Sequence, residues 1–574
     1  MKRRFKYTLR ELAGRLMRIA APQAKNIAWA TLGSIVGNVA RMTLMGTGAG
    51  LILCYAGLMG GSPWLWGAML ALSAVTIAGM RYLEGVTAHV AAYTLLADMR
   101  TRFFHKLREL SPACLVDRER GDIISIAIAD IDTIEKFFAH TIGPMFTVIL
   151  LPLLTLIYAA TIRWQLALTL LPVYIVISVV VPLVAMRAGR AMGARYRGQL
   201  GEMKSLILES VYGLKDIQIF GIGPERLEML RDKSREINRT AHGMTLHKQF
   251  VQAVPHFFIY MARILIVFVA SWLALSETRD LTAVIILSFI VSASFSSTQS
   301  LISVVTSLLE TFAAAERLFE IEDETPAVTE ATDAVALNAV GDIRFEDVSF
   351  RYKRDARLVL DRADMTIRRG EKIGIVGPSG MGKSTVLRLL MRFWDPTTGA
   401  IRLDDTPLDR ARLDSLRDRI ALVEQHTFIY DDTAANNIAL GKPDATMEEI
   451  KTAARRAGIA NLIERLPDGY DTQLGEFGSH LSGGERQRVG IARVMLTDPD
   501  VIVMDEPTSS LDVFHEKVLL DTLEREYADK TIVIVSHRKS TLTGCDRVLC
   551  IENGRLHEMG PDASSMWSSI SPTN

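Results

Sequence analysis

The sequence predicts two domains of different fold classes: an α-helical membrane domain of six spans, followed by an α/β domain with a largely parallel sheet. Long apolar stretches are concentrated before residue 310, and the mean hydropathy of the chain is +0.19, which is high for a soluble protein. From Ile343 to about residue 560, short apolar strands alternate with helix-forming segments, a pattern typical of α/β domains. The 574 residues are also too many for a single hydrophobic core.

Six apolar stretches are each long enough to cross a bilayer, which takes ~20 residues of helix. We place them at residues 27–54, 63–88, 139–161, 165–187, 250–275 and 281–306. The predicted external links are short, whereas the cytoplasmic links at about 89–138 and 188–249 are long and rich in helix formers. We therefore expect the helices to continue well past the membrane. Two reversal points, Ser111–Asp132 and Glu209–Gly221, are expected to form short helices that couple the two domains.

The N-terminal residues 1–26 are predicted to form an interfacial helix. Leu9 to Ala20 place arginines among apolar residues at helical spacing, as in helices that lie along a membrane surface. The basic residues before them favour the cytoplasmic side, so we predict a multi-pass protein of the cytoplasmic (inner) membrane. The remaining boundaries are predicted as a membrane domain at 27–312, a linker at 313–342, the α/β domain at 343–560 and a tail at 561–574.

A glycine-rich loop of the form G-x-x-x-x-G-K-S joins an apolar strand to a helix in the α/β domain. Glycines let successive backbone N–H groups point at phosphate oxygens, and the following helix presents its positive end to them. Lys383 is expected to neutralise the β- and γ-phosphates of ATP, and the Ser384 hydroxyl is expected to ligate Mg²⁺. The predicted ATP-binding residues of this loop are Gly377, Pro378, Ser379, Gly380, Met381, Gly382, Lys383, Ser384 and Thr385.

Two carboxylates follow the apolar strand Val501–Met504. Asp505 is expected to hold Mg²⁺, and Glu506 is expected to polarise the attacking water. An acidic pair at a strand end can also be structural, but the phosphate loop in the same domain favours the hydrolytic interpretation.

The segment Leu481–Arg488, with the sequence LSGGERQR, resembles the signature of the ATP-binding cassette (ABC) family. The family signature is LSGGQ, so Glu485 stands where glutamine is usual. Ser482, Gly483 and Gly484 form a second anion site at a helix start. The resemblance implies that this site reads the γ-phosphate bound by the opposite subunit, so that two ATP molecules are sandwiched in a head-to-tail dimer.

Further positions match the family pattern one by one. The resemblance implies that Tyr352 stacks on adenine and that Gln425 senses Mg²⁺ and the attacking water. It also implies that His537 contacts the γ-phosphate, that Asp512 lines the nucleotide site, and that the loop Thr472–Gly478 meets coupling helices. The predicted catalytic residues are Glu506, His537 and Gln425, and the predicted metal ligands are Ser384, Gln425 and Asp505.

The resemblance covers nearly the whole chain, because six spans followed by one cassette is the layout of an ABC half-transporter with the type IV exporter fold. It implies ATP and Mg²⁺ as cofactors and a second half-transporter subunit as partner. The membrane part resembles the CydC-type branch, which exports cysteine or glutathione, through RYLE at Arg81–Glu84, His89, LSPA at 110–113 and GDII at 121–124. Gly85 stands where this branch has a second arginine. CydC-type relatives pair with a different subunit, so a heterodimer is favoured over a homodimer.

Ionisable side chains inside predicted spans are costly and often line a pathway. Arg41 and Arg263 lie mid-span, and Arg81 and His89 lie near the cytoplasmic end of the second span. One interpretation is snorkelling, or an internal salt bridge such as Arg81–Glu84. The other is a cationic cavity for a small anionic solute, such as a carboxylate-bearing thiol, a peptide, a siderophore or haem. His89 is in addition a candidate axial ligand of haem iron.

Three functional classes remain open. Export of thiols or peptides is the default expectation for this fold, and import of haem or a siderophore is the alternative. A soluble ABC ATPase is disfavoured by the six spans. The formal net charge is zero, so nucleic acid is not an expected partner, whereas the lipid bilayer is. The four cysteines show neither metal-ligand nor disulfide spacing.

Overall fold

A computed structural model describes residues 7–113, 118, 120–274, 281–353 and 356–559 of the chain. The chain divides into two compact units, the first formed by Met1–Leu107 with Arg118–Glu324 and the second by Arg108–Asp117 with Thr325–Asn574. The predicted tail at 561–574, the basic residues that precede Tyr7 and part of the predicted coupling segment at 111–132 lie outside the described residues.

The described part of the first unit is helical. Its helices are α1 (Leu9–Ala20), α2 (Ala24–Tyr55), α3 (Pro63–Leu110), α4 (Arg120–Ser125), α5 (Ile131–His140), α6 (Ile142–Ile162), α7 (Trp164–Ile175), α8 (Val181–Tyr212), α9 (Leu214–Phe220), α10 (Gly223–Ala274) and α11 (Leu281–Glu322). Two π-helical turns, Ile126–Asp130 and Val176–Val180, join α4 to α5 and α7 to α8. The six predicted spans fall in α2, α3, α6, α7 with the start of α8, α10 and α11. The predicted helical membrane domain is therefore confirmed.

Length and hydropathy alone identify three described stretches as able to cross a membrane, Pro63–Leu110, Gly121–Ile162 and Gly223–Val269. Two shorter apolar helices lie at Trp164–Val180 and Thr282–Phe295. The predicted first span, in α2, is not in this set. The glycines of α2 and its polar residues Asn38 and Arg41 lower the mean hydropathy of this helix.

A glycine allows α2 and α3 to pack closely. A Cβ at Gly33 would lie 3.0 Å from the backbone oxygen of Met80 and 3.1 Å from the backbone nitrogen of Glu84. Any side chain at residue 33 would push the helices apart. This close packing places the charged residues of the two helices next to each other.

The amphipathic helix α1 is anchored to the end of α11. The side chain of Thr8 caps α1 in a capping box with Glu11, and Leu12 and Leu16 are buried. Arg15 forms an ion pair with Asp323, and its guanidinium carbon lies 4.7 Å from the ring centroid of Phe319. Helix α11 itself continues as far as Glu322, so the first ten residues of the predicted linker at 313–342 are helical.

The predicted coupling segment at 209–221 contains the short helix α9. Leu214, Ile219 and Phe220 of this helix are exposed, Phe220 to 74 %. Gly221 ends the helix with a left-handed φ of 67°. The segment therefore presents an apolar surface. That it couples the two domains stays a prediction.

Two sheets form the framework of the second unit. Its strands are β1 (Ile343–Phe350), β2 (Leu360–Ile367), β3 (Lys372–Val376), β4 (Thr398–Leu403), β5 (Thr406–Pro407), β6 (Ile420–Val423), β7 (Val501–Asp505), β8 (Thr531–Val535), β9 (Arg547–Glu552) and β10 (Arg555–Glu558). The order in the six-stranded sheet is β10-β9-β3-β8-β7-β6, with every pairing parallel except that of β9 with β10. The four-stranded sheet, β2-β1-β4-β5, is antiparallel. The predicted parallel sheet is present, whereas strand patterning alone did not separate it from the antiparallel one.

The helices of this unit connect the strands or follow them. They are α12 (Lys383–Leu390), α13 (Leu413–Arg419), α14 (Ala434–Ala439), α15 (Met447–Arg456), α16 (Ala460–Ile463), α17 (Gly483–Thr497), α18 (Val513–Glu526) and α19 (Lys539–Leu542). Strands β3, β8, β7 and β6 are neighbours with the same direction. The loops that leave their carboxyl ends therefore meet at one edge of the sheet, where α/β domains place their ligands.

Candidate functional site

The loop between β3 and α12 is shaped by glycines with positive φ. Gly377, Gly380 and Gly382 have φ angles of 150°, 78° and 100°. A Cβ at Gly377 would lie 2.9 Å from the backbone oxygen of Ile551, and one at Gly382 would lie 2.8 Å from Cγ1 of Val359. These glycines are therefore required both by backbone conformation and by space.

Lys383 begins α12 and turns back into this loop. Its ammonium group donates to the backbone oxygen of Gly377 at 2.8 Å and to that of Pro378 at 3.1 Å. Burial lowers the pKa of Lys383, and the nearby carboxylates of Glu506 and Asp505 partly offset this effect. The arrangement holds a cation against the backbone of the loop, where it can neutralise an anionic ligand.

The end of β7 brings two carboxylates to the same edge of the sheet. Asp505 accepts a hydrogen bond from the Ser384 side chain, and burial raises the pKa of Asp505 above its usual value. A hydroxyl and a carboxylate thus converge, and both are hard oxygen donors of the kind that Mg²⁺ prefers. Among the residues that the structure describes, no group of three or more His, Cys, Asp or Glu side chains is arranged to hold a metal ion.

Glu506 is held in a strained position between two polar side chains. Its φ is 49°, a left-handed value that persists only where the surroundings enforce it. The Gln425 side-chain amide donates to Glu506 Oε2 at 2.9 Å, and His537 Nδ1 lies 3.4 Å from Oε1. The structure therefore brings together the three predicted catalytic residues, which lie on loops after β6, β7 and β8.

Tyr352 lies against the helix that follows the phosphate loop. Its hydroxyl lies 3.0 Å from Thr385 Oγ1 and accepts a hydrogen bond from Arg388 at 3.1 Å. The centroid of its ring is 5.2 Å from that of Trp394 in an edge-on arrangement. These contacts fix the ring next to α12. Stacking of adenine on it remains a prediction.

The predicted second anion site forms the start of α17. Ser482 is the N-cap residue of this helix, and Glu485 completes a capping box with it by accepting from the Ser482 backbone N–H at 2.7 Å. Glu485 thus performs the capping role that its family counterpart glutamine can also perform. A Cβ at Gly484 would lie 2.7 Å from the backbone oxygen of Ser510, so this glycine lets the Ser509–Asp512 segment approach.

Asp512 caps the next helix, α18. Its carboxylate accepts from the backbone N–H of His515 at 2.8 Å, and its other oxygen lies 2.8 Å from Nδ1 of the same residue. These two hydrogen bonds lower the pKa of Asp512.

Sequence reasoning missed several residues that support the site. Gln487 donates to the backbone oxygen of Glu506 at 2.9 Å, and Arg388 holds Tyr352. Arg538 donates to the backbone oxygen of Leu511 at 3.2 Å, which joins the loop after His537 to the segment that ends in Asp512. Each lies within a recognised motif or a few residues from one, but a hydrogen bond to a backbone oxygen or to a hydroxyl distant in the sequence leaves no residue pattern.

The candidate substrate residues lie in the first unit, and the structure brings two of them together. Arg81 donates to Glu84 Oε2 at 2.9 Å, which is the internal salt bridge considered from the sequence. Arg41 of α2 interacts electrostatically with both Arg81 and Glu84. Arg41 is therefore close enough to the Arg81–Glu84 ion pair to interact with it, and the three side chains together carry a net positive charge.

Arg263 and His89 have other neighbours. The guanidinium carbon of Arg263 lies 5.3 Å from the ring centroid of Tyr260, and its Nε is buried without a hydrogen-bond partner among the described residues. The ring of His89 lies 5.2 Å from that of His140 and 5.6 Å from that of Tyr93. Nδ1 of His89 is likewise buried without a partner in the described part of the chain.

Comparison with known families agrees with this geometry. Residues 360–509 match the family described as ABC transporter, and residues 38–300 match the ABC transporter transmembrane region. The first match contains the phosphate loop, Gln425, the Ser482–Gly484 segment and the Asp505–Glu506 pair. The second match argues against a soluble ABC ATPase.

Similar proteins cover nearly the whole chain. A "Probable ABC transporter ATP-binding/permease protein" of Haemophilus influenzae is 35% identical over 95% of this chain and 98% of its own length. The "Glutathione/L-cysteine transport system ATP-binding/permease protein CydC" of Escherichia coli is 28% identical over 92% of each chain, and an "ATP-dependent lipid A-core flippase" of Shewanella oneidensis is 32% identical over 86% of this chain and 84% of its own.

A solved structure shows the same fold. The "Structure of a bacterial Atm1-family ABC exporter with ATP bound" matches with a TM-score of 0.82 over 96% of this chain and 99% of the other, at 24% sequence identity. The two domains are thus those of the type IV exporter fold, and half-transporters of this layout function as dimers. With its membrane-spanning helices and its fused ATPase domain, the chain belongs to the ABC transporter family, as an ATP-driven half-transporter of the inner membrane.

Proposed function

We propose that the protein hydrolyses ATP at a site shared by two subunits and uses the energy to move a small anionic solute across the inner membrane. The observation that carries the ATPase part is the convergence of Gln425, Glu506 and His537 beside the phosphate loop, with distances of 2.9 and 3.4 Å to the Glu506 carboxylate. The observation that carries the substrate part is the Arg41–Arg81–Glu84 group with its excess positive charge.

The proposed roles at the ATP site follow from the position of each side chain. The backbone N–H groups of residues 377–385 and the Lys383 ammonium bind the phosphates, and Tyr352 stacks on the base. Glu506 accepts a proton from the attacking water, because it is the carboxylate that is not hydrogen-bonded to Ser384. His537 and Gln425 orient Glu506 and the water on either side. The Ser482–Gly484 segment of one subunit, supported by Asp512, closes the site of the other.

Ser384 and Asp505 would hold Mg²⁺, with Gln425 as a further oxygen ligand. The ion supplies charge neutralisation to the phosphates when bound. The fit rests on the hydrogen bond that already brings the Ser384 hydroxyl to the Asp505 carboxylate.

We infer that the partner is a different half-transporter subunit. Support comes from the likeness to the CydC component of a glutathione and cysteine transport system, at 28% identity over 92% of the chain. Export of a thiol or peptide is the transport activity that this likeness and the exporter fold support. An ATP-dependent lipid A-core flippase is also similar to this chain, so transport of the anionic solute should be measured alongside transport of a lipid.

The substrate proposal predicts a specific defect on loss of a cation. Arg41→Ala is expected to lower the affinity for an anionic thiol by about 10- to 100-fold, because a hydrogen bond to a charged group contributes about 1.5–3 kcal/mol. Stimulation of the ATPase by glutathione in nanodiscs measures this affinity. Arg102→Ala, in the part of α3 that lies beyond the predicted span, is the matched control and should be stimulated normally. Normal stimulation of the Arg41 variant would remove the cationic-site proposal.

Import of haem is the second candidate function, and one observation favours it. Nδ1 of His89 is buried and unpartnered among the described residues, so the imidazole has a free coordinating nitrogen. If His89 ligates haem iron, a shift of the Soret band on mixing haem with the purified protein should disappear in His89→Ala. His105→Ala, an exposed histidine farther along α3, is the control. A shift that survives in the His89 variant contradicts the haem assignment.

A further inference from the structure

The helix that precedes the first span presents basic side chains away from the protein. One side of α1 is apolar and buried. Arg10, Met17 and Arg18 are exposed, Met17 to 58%. At 3.6 residues per turn these three side chains fall within a stripe of about 100° on the side opposite the buried one. We call Arg10, Met17 and Arg18 the basic stripe.

The chain places the basic stripe at the cytoplasmic boundary of the membrane. A single short turn, Ala21–Gln23, joins α1 to α2, whose predicted span starts at residue 27. Lys25 is exposed at the start of α2 and adds a further cation. Trp29, which is 46% exposed, is an aromatic side chain of the kind that marks the level of the lipid headgroups. The stripe therefore begins within a few residues of that level.

The charge of the stripe indicates which lipids cover it. Neither Arg10 nor Arg18 forms an ion pair within the part of the chain that the structure describes. The acidic residue of α1, Glu11, is engaged in the capping box with Thr8. Exposed arginines beside an exposed Met17 fit an anionic headgroup above an acyl chain. Each basic side chain near such a surface strengthens binding about fivefold.

The same helix holds the end of α11 through its remaining arginine. Arg15 forms an ion pair with Asp323, in which Nη1 donates to Oδ2 at 2.8 Å. Tyr7, which lies just before α1, donates to the same oxygen at 2.7 Å. Burial, together with Asp323, raises the pKa of Tyr7 to about 12, so the phenol keeps the proton that it donates. A helix α1 that is fixed at the membrane therefore also fixes Asp323.

The acid held by α1 is the middle one of three consecutive acids, Glu322–Glu324, which end α11 and precede the linker. We call these three residues the acidic clasp. Burial raises the pKa of Glu322, and the guanidinium of Arg102 on α3 is among the cations that oppose this shift. Glu324 accepts from Arg118, in the predicted coupling segment, at 2.6 Å. The clasp thus joins α1, α3 and the coupling segment at the start of the linker.

We propose that the basic stripe of α1 binds the headgroups of anionic membrane lipids, and that the acidic clasp passes this binding on to the linker and the coupling segment. A ligand shifts a conformational equilibrium through its different affinity for the two states. Anionic lipid holds α1 at the membrane and so favours the clasped state, in which ATP turnover is faster. Lipid binding by α1 is independent of the proposed transport activity, and ATP turnover is one of two readouts.

Lipid selection is measured at the stripe itself, in nanodiscs that hold the full-length dimer. Gly14 lies in the stripe with open space around it, so a fluorescent amino acid is introduced there. Quenching by spin-labelled phosphatidylglycerol is compared with quenching by spin-labelled phosphatidylcholine. Arg10→Gln combined with Arg18→Gln is expected to lower the preference for phosphatidylglycerol about 25-fold, at about fivefold for each arginine.

Two exposed arginines of α10 provide the matched control. Arg231→Gln combined with Arg239→Gln removes the same charge at positions that lie at least ~16 Å along the helix from the predicted span at 250–275. This distance is about two Debye lengths at physiological ionic strength. The control is therefore expected to keep the wild-type lipid preference.

The second readout is ATP turnover in nanodiscs of phosphatidylcholine alone and of an equal mixture with phosphatidylglycerol. Wild type is expected to be about fivefold faster in the mixture, at the low end of typical coupling between sites. Asp323→Asn is expected to keep the lipid preference at the stripe and to lose this stimulation, because an amide cannot form the ion pair with Arg15. Arg118→Gln opens the clasp at Glu324 and replaces Asp323→Asn if that variant fails to assemble.

Each remaining outcome has a definite meaning. Equal wild-type turnover in the two nanodiscs, or a lipid preference that survives the loss of Arg10 and Arg18, would overturn the inference. Full stimulation of an assembled clasp variant would also overturn it. Quenching by neither lipid would show that protein covers the stripe, with the same consequence. An intact lipid preference without ATP hydrolysis in either nanodisc would instead count against the proposed function.

Discussion

Replacement of Glu506 by glutamine is expected to lower ATP turnover by about 10²–10⁴-fold and to leave ATP binding intact. The amide has nearly the same shape as the carboxylate but cannot accept a proton from water. The backbone of Glu506 is fixed by hydrogen bonds to Val535 and Gln487, each of 2.9 Å, so the side-chain change leaves the loop in place. Phosphate release measures turnover, and equilibrium binding of ATP measures affinity.

A matched control separates this effect from a general loss of charge. Glu524→Gln removes a carboxylate from an exposed position of α18 and is expected to hydrolyse ATP at the wild-type rate. Near-normal turnover by the Glu506 variant would assign proton acceptance to another group. Weak ATP binding by the same variant would mean that Glu506 acts on the nucleotide itself.

Ser482→Arg is expected to stop hydrolysis at the phosphate loop of the opposite subunit, while its own phosphate loop still binds ATP. Ser482 is exposed at the start of α17, and its hydroxyl accepts from the Glu485 backbone N–H at 3.4 Å. An arginine would lose this cap and would fill the space that the proposed sandwich leaves for the γ-phosphate. The expected loss is of the same order as for a missing transition-state contact, about 10²–10³-fold.

Mixed dimers make the test specific. Consider a dimer that carries Ser482→Arg and Lys383→Ala in the same subunit. It retains one intact site only if each site is built from the phosphate loop and the Ser482–Gly484 segment of a single subunit. In the proposed sandwich, that dimer loses both sites, whereas Lys383→Ala alone spares one. A monomeric preparation that hydrolyses ATP at the full rate would contradict the shared site.

The sequence alone determined the order of the domains and the chemistry of the phosphate loop. Glycines at 377, 380 and 382, followed by Lys383 and Ser384, indicate a phosphate-binding loop. The glycines allow the tight backbone turn, the lysine neutralises phosphate and the serine hydroxyl can bind Mg²⁺. The spans could be located because the bilayer imposes a length on apolar helices. The position of Glu506 after a buried strand likewise indicated its place at the edge of a parallel sheet.

The substrate region was predicted less completely. The sequence placed Arg41, Arg81 and Arg263 in three spans and suggested a common cavity. The structure places Arg41 near the Arg81–Glu84 ion pair, whereas Arg263 lies against Tyr260. Hydropathy locates a span along the chain, but the rotation of each helix is fixed by its packing, as at Gly33 against Met80.

Only the tertiary structure revealed how the motifs are connected. Glu516 and Arg538 lie 22 positions apart, and the salt bridge and hydrogen bonds between their loops depend on the parallel order of β7 and β8. Strand pairing and the burial of a charged side chain depend on the fold of the whole domain. A carboxylate can accept hydrogen bonds from donors that lie far away in the sequence. The sequence therefore determined which side chains perform chemistry, since residue type and spacing carry that information. The structure decided which of them act together, since proximity arises from packing.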